Sequence, residues 1–217
     1  MLNASMIVNP YYSEFLKFAL KVKQANEIPA KESNHGKLWY NAYAEMHSAR
    51  RDLITHYSYA IPDPGALELI AKYGPILELG AGKGYWASLL RQMSVDILAY
   101  DIDPKNGSGY IDGGKAFTFV DTGSIEKIEE NPERNLFLCW TPMTSFSYEA
   151  LKKFKKSKAP YFIHIGEPGN EDGRGCTDSV EFFRYLNKNF TLVEDYSLPN
   201  WQGVYDGLRV YKNNLFL

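Results

Sequence analysis

Apolar residues in the first quarter of the chain recur at intervals of three and four. Phe15, Leu16, Phe18, Ala19, Leu20 and Val22 place one apolar face on a helix running from Tyr11 to Asn26 and stopping ahead of Pro29. A second helix is predicted over roughly Leu38 to His56. Asp63 followed by Pro64 is a cap and first-turn pair. Ala66, Leu67, Leu69 and Ile70 then supply the face of a third helix that ends before Gly74-Pro75.

Beyond Pro75 the pattern changes to short apolar runs, each followed by a helical period. The runs are Ile76–Leu79, Asp96–Tyr100, Phe117–Val120, Leu136–Cys139 and Tyr161–Ile165. The helical stretches between and after them are Tyr85–Met93, Ser124–Glu130, Tyr148–Phe154 and Asp178–Asn187. Strands alternating with helices predict a parallel sheet with right-handed crossovers and helices on both faces. The last two runs, Phe190–Leu198 and Leu208–Tyr211, are separated by a turn with no room for a helix, which makes them an antiparallel hairpin. The expected architecture is α/β and Rossmann-like: a doubly wound, mostly parallel seven-stranded sheet with a terminal antiparallel hairpin and an N-terminal helical extension. No linker, repeat or low-complexity stretch interrupts the chain, so residues 1–56 are expected to pack on a core formed by 57–217 as one domain.

The first predicted strand runs into Glu78-Leu79-Gly80-Ala81-Gly82-Lys83-Gly84. Glycines where a strand bends into a helix allow close approach by a ligand lying across the strand ends. The dinucleotide fingerprint needs a glycine at its sixth position, where Tyr85 stands, which disfavours a nicotinamide dehydrogenase. The spacing is GxGxG with an acid two residues ahead. In this the chain resembles the class I S-adenosylmethionine-dependent methyltransferases, from about residue 57 to the end. Asp101, closing the second strand, is placed to accept hydrogen bonds from ribose hydroxyls; Asp103 competes for that role, and a turn cap before Pro104 is the other reading.

The resemblance implies S-adenosylmethionine as cofactor, held by Tyr59, Glu78, Gly80, Ala81, Gly82, Gly84, Asp101, Ile102, Asp121 and Cys139. Asp121 would meet the adenine amino group, or else cap the helix near Ser124. Tyr57 to Pro62 is similar to an element that leans on the methionine part in amino-directed members. Leu138-Cys139-Trp140-Thr141-Pro142-Met143 occupies the family's fourth motif but has neither Asn nor Asp, so transfer to a nucleobase nitrogen is not supported. A second departure is the glycine-rich stretch after Asp101, where a loop replaces the family's helix. These departures motivate a second reading, a noncatalytic cofactor- or partner-binding module on the same fold.

Methyl transfer from a sulfonium needs alignment and exclusion of water more than catalytic groups. Aromatic rings favour the cation, and Trp140, Tyr59 and Trp86 are the candidates, each readable also as packing. Glu167, after the fifth strand, is the candidate general base for an acceptor that must lose a proton; a solvated loop carboxylate is the alternative. His164 reads as a satisfied core or interface histidine. The loop Pro199 to Asp206, with Trp201 and Asp206, either leans over the acceptor or is an exposed turn.

Composition narrows the partners. The net charge of -2 and a pI near 6.1 disfavour general attraction to nucleic acid. Arg50-Arg51, Lys152-Lys153 and Lys155-Lys156 read as solvated helix faces. The expected acceptor is a small molecule or a protein side chain. No secretory pattern and no long apolar run is present, which gives a cytosolic expectation without membrane contact. Cys139 and Cys176 stand apart, without zinc-ligand spacing, and are expected to be free thiols. The 16 tyrosines suit either ordinary packing or a cationic or planar ligand.

Overall fold

The computed structural model describes residues 4–32, 34–105, 115–169 and 177–217. Helices α1 (Pro10–Glu27), α2 (His35–His56) and α3 (Pro64–Ala71) precede β1 (Ile76–Leu79), α4 (Tyr85–Gln92) and β2 (Ile97–Asp101). There follow β3 (Asp121–Thr122), α5 (Lys127–Glu130), β4 (Asn135–Cys139), α6 (Phe146–Phe154) and β5 (Tyr161–Gly166). The chain closes with α7 (Val180–Asn189), β6 (Phe190–Ser197) and β7 (Gly207–Asn213). The seven strands form one sheet in the order β3-β2-β1-β4-β5-β7-β6. Pairings from β3 through β5 are parallel, and β7 lies antiparallel to both β5 and β6. This is the Rossmann-like sheet with a terminal antiparallel hairpin.

Strand side chains alternate between faces with a period of two, and two apolar clusters follow from that. Ile76, Phe137, Ile163 and Ile165 face a cluster built with α3 and α4. Leu77, Leu79, Leu136, Leu138 and Phe162 face one built with α5, α6 and α7. Both faces of the sheet are therefore covered, as parallel strands require. Helix starts follow local chemistry: the side chains of Asn9, Asp63 and Ser179 accept the amides of Tyr12, Ala66 and Phe182, and proline opens α1 and α3.

Three boundaries differ from the sequence expectation. Phe117–Val120 is no strand; the third strand is Asp121–Thr122 alone. The Phe117 amide donates to the Lys83 carbonyl at 2.9 Å, and the Phe117 ring packs against His56, Tyr57 and Tyr85. Phe117 and Val120 serve contacts with the glycine loop instead of a sheet face, and Phe119 is exposed. The helix expected from Ser124 shortens to Lys127–Glu130, and the last helix begins after a Ser179 cap. The loop expected after Asp101 falls largely on 106–114, which, with 170–176 and so Cys176, lies outside the described residues.

Several side chains join the N-terminal helices to the core, among them Asn9, Phe15 and Met46, and Tyr11 is the most deeply buried of them. Tyr11 is fully buried; its amide donates to the Tyr85 hydroxyl at 3.2 Å, and its hydroxyl accepts from Trp201 Nε1 at 2.9 Å. Its ring stacks on Tyr57 with centroids 5.2 Å apart. By contrast α2 buries only Ala42 and Met46. Among the described residues no helix is long and apolar enough to cross a membrane. Tyr11→Phe keeps the ring and leaves the buried Trp201 N–H without its acceptor. It should lower unfolding free energy by about 1–3 kcal/mol, read by urea denaturation.

Candidate active site

Between β1 and α4 the backbone turns through left-handed conformations at Gly80, Gly82 and Gly84, with φ of 73°, 54° and 73°. The turn is tied to its neighbour strand: Ala81 N–H donates to the Tyr100 carbonyl at 3.0 Å, and Gly82 N–H donates to Asp101 Oδ2 at 2.8 Å. Gly84 has a packing reason as well. A Cβ there would lie 2.6 Å from Val120 Cγ2 and 3.0 Å from Thr118 Cγ2, so the segment before β3 presses directly on the loop.

Two cavities open at the C-terminal ends of the parallel strands, where ligands of open α/β sheets bind. The larger, about 230 Å³, is lined by Gly80, Asp101, Ile102, Gly123, Ser124, Cys139, Trp140, Thr141, Pro142 and Phe146. The smaller, about 70 Å³, is lined by Tyr57, Ser58, Tyr59, Glu78, Ala81, Gly82, Tyr85 and Trp86, and shares Gly80, Cys139 and Trp140 with the first. A larger surface groove, about 560 Å³ along α2, involves none of these residues.

Glu78 points to the face of α4 and is buried, with its Oε2 lacking any hydrogen-bond partner. Burial pushes its carboxyl up to about 8, helped by the charge of Asp101 and opposed by Arg91. Such an oxygen is costly unless a ligand donor reaches it. Asp101 is buried too. Its Oδ2 takes the Gly82 amide and its Oδ1 the Asp103 amide at 3.0 Å, so the carboxylate caps the turn before Pro104. Each oxygen keeps a lone pair for a further donor.

Trp140 follows β4 and stacks on Tyr59, centroids 4.9 Å apart and planes 16° from parallel. Its indole Nε1 donates to Asp206 Oδ1 at 2.8 Å. The loop after β6 is therefore folded inward, with Trp201 and Asp206 both buried. Burial pushes the Cys139 thiol up, reinforced by the charges of Glu78, Asp206 and Asp178, which keeps it protonated and a poor nucleophile.

Of the residues singled out from sequence, Tyr59, Glu78, Gly80, Ala81, Gly82, Asp101, Ile102, Cys139 and Trp140 come together around the two cavities. Gly84 does not line them. Asp121 is exposed on the edge strand and accepts the Thr122 amide; Gly123 and Ser124 form the wall there, and the cap of α5 is Glu126. Glu167 is buried at the end of β5, where its Oε1 accepts the Tyr205 amide at 3.3 Å; neither cavity is lined by it. His164 is a core histidine, its Nε2 2.7 Å from Asp178 Oδ2. Sequence reading missed Phe146, which arrives from the first turn of α6, and Asp178, which stood only as the first residue of the last predicted helix. Among local signals, only the polar Thr141 within the strand-ending motif hinted at a buried partner.

No protein-family model matches the chain, and no curated protein is significantly similar to it. Solved structures with a similar chain path include a mutant of MtNAS in complex with S-adenosylmethionine, 14% identical, with 97% of this chain and 77% of that one covered and a TM-score of 0.47. Human N-acetylserotonin methyltransferase in complex with SAM is 12% identical, with 94% and 66% covered and a TM-score of 0.43; the chain thus spans just under two thirds of that protein. Magnesium protoporphyrin IX methyltransferase from Synechocystis PCC 6803 with bound SAM is 10% identical, with 98% of both chains covered and a TM-score of 0.41. The fold assignment rests on the strand order and not on these likenesses.

Glu78 also makes a stability prediction. Its folded pKa of about 8 exceeds its ordinary value of 4.5, so the folded state binds more protons and stability falls as pH rises between them. Asp206, raised from 3.8 to about 6, acts in the same direction over a lower window. From pH 6.5 to 8 the ligand-free protein should lose stability in denaturant titrations, and Glu78→Gln should abolish most of that slope.

Proposed function

We propose that the chain is an S-adenosylmethionine-dependent methyltransferase acting on a small molecule or a protein side chain. The observation that carries this reading is the unpartnered Glu78 oxygen, buried beside a glycine turn that Asp101 holds from below. A donor from the ligand, such as the ammonium of an amino-acid end, would satisfy Glu78 and lower its pKa. Asp101 has lone pairs to spare for two ribose hydroxyls. The residues present thus fit the cofactor, which supplies an electrophilic methyl group on a sulfonium.

The chain's own contribution is alignment and exclusion of water. The stacked rings of Tyr59 and Trp140 give a negative π-face toward a cation, and the wall from Cys139 to Pro142 fixes where an acceptor approaches. For acceptors that lose a proton on transfer, Glu167 is the carboxylate we assign as base, working at the same sheet edge. Absence of a fourth-motif Asn or Asp and a net charge of -2 favour acceptors other than nucleobases.

Calorimetric titration with S-adenosylmethionine and S-adenosylhomocysteine tests the cofactor assignment. Wild type should bind both, and Asp101→Ala should weaken binding at least tenfold, the loss of about 1.4 kcal/mol or more expected for a charge-assisted hydrogen bond. No binding at millimolar ligand refutes the assignment. With labelled methyl groups and an acceptor panel, Glu167→Gln should lower kcat with little change in cofactor affinity; binding without turnover on any acceptor would point to the noncatalytic module.

A further inference from the structure

Two buried aspartates grip the turn that walls both cavities. Trp140 has φ of 53°, a left-handed conformation that a bulky residue keeps only where its surroundings hold it. Its amide donates to the Ile165 carbonyl at 2.8 Å, and its indole donates to Asp206. Asp206 is itself fixed by Asn200, which accepts the Asp206 amide at 2.9 Å and donates to the Asp206 carbonyl at 3.0 Å.

On the next residue, the Thr141 hydroxyl donates to Asp178 Oδ1. The Asp178 amide reaches back to the Thr141 carbonyl at 3.4 Å, and His164 Nε2 bonds the second Asp178 oxygen. Asp178 too is left-handed, with φ of 63°. The aspartates are 5% and 2% exposed, so water does not compete for these bonds. Neither side chain lines the cavities, whereas the Trp140 and Thr141 that they hold do.

We propose that Asp206 and Asp178 are positioning residues that set Trp140 and Thr141 against the two cavities, Asp206 through its bond from the Trp140 indole and Asp178 through its bond from the Thr141 hydroxyl. What the cavities hold rests on the methyltransferase reading; the clamp that these bonds form does not. An ionised carboxylate accepts an indole N–H more strongly than a neutral one. Burial pushes Asp206 up to about 6; the Trp140 bond, Arg50 and His164 pull it down, and Glu167 pushes it up. The charge-assisted bond is therefore present above about pH 6 and weakens below. Burial also opposes charge on Asp178, but His164 and the bonds from His164 and Thr141 outweigh it and hold Asp178 below its ordinary range.

The indole N–H signals of ¹⁵N-tryptophan-labelled protein test the clamp directly. There are four tryptophans, and the Trp140 signal is identified by its loss in Trp140→Phe. It should shift with a midpoint near pH 6 in wild type and stay flat in Asp206→Asn, which retains an oxygen acceptor. S-adenosylhomocysteine affinity, measured at pH 7.5 on variants shown to be folded, should fall about tenfold in Asp206→Ala and in Thr141→Val, and less in Asp206→Asn. A Trp140 signal that does not titrate, or unchanged affinity in both Asp206→Ala and Thr141→Val, overturns the proposal. A titrating signal in a wild type that binds no S-adenosylhomocysteine leaves the clamp standing and removes the methyltransferase reading instead.

Discussion

The hydrogen bond from the Gly82 amide to the Asp101 carboxylate joins the turn after β1 to the end of β2. Both partners are buried, so water competes little for the bond. Left-handed glycines make the turn sterically possible, but they would leave it loose, since glycine restricts its own backbone least. Asp101 removes that freedom. The Ala81 bond to Tyr100 and the Phe117 bond to Lys83 complete the frame. The proposed cofactor would thus meet a turn already in place, with less ordering to oppose its binding.

Around this frame the chain concentrates features that cost stability. Glu78 buries an unpartnered oxygen, and Trp140 and Asp178 hold left-handed backbones. All three lie at or near one end of the parallel strands. The cost is borne by the apolar clusters on the two sheet faces, which contain none of the three polar or strained groups except the Trp140 ring at the margin of one. Acidity is divided in the same small volume: burial raises Glu78 and Asp206, whereas His164 keeps Asp178 low. Environment, not residue type, assigns each carboxyl its charge.

The N-terminal helices are part of this construction. Tyr11 meets Tyr85 beside the glycine turn, Tyr57 in the wall of the smaller cavity and Trp201 in the loop that carries Asp206. One side chain thus touches the elements that shape both the glycine turn and the loop that bonds Trp140. Most of α2 stays outside this contact, with Trp39 and Tyr40 exposed.

The sheet was legible in sequence because alternation between two covered faces writes itself as short apolar runs, and the glycine turn because left-handed backbone demands a particular residue. Glu78 was singled out two residues ahead of that turn, Asp101 at the close of the second strand, and Trp140 directly after the strand that ends at Cys139. The Phe117–Val120 segment misled because apolar residues look alike whether they face a sheet neighbour or press on Gly84. Asp206 was visible only as a loop residue, and its bond to Trp140 across 66 positions has no local signature. Asp178 stood only as the start of the last predicted helix, since the partners that make it a buried anion are distant in sequence, His164 on β5 and Thr141 in the loop after β4. Local spacing determines backbone conformation and face; which distant polar groups meet, and so which carboxyl is charged, is decided only when the layers pack.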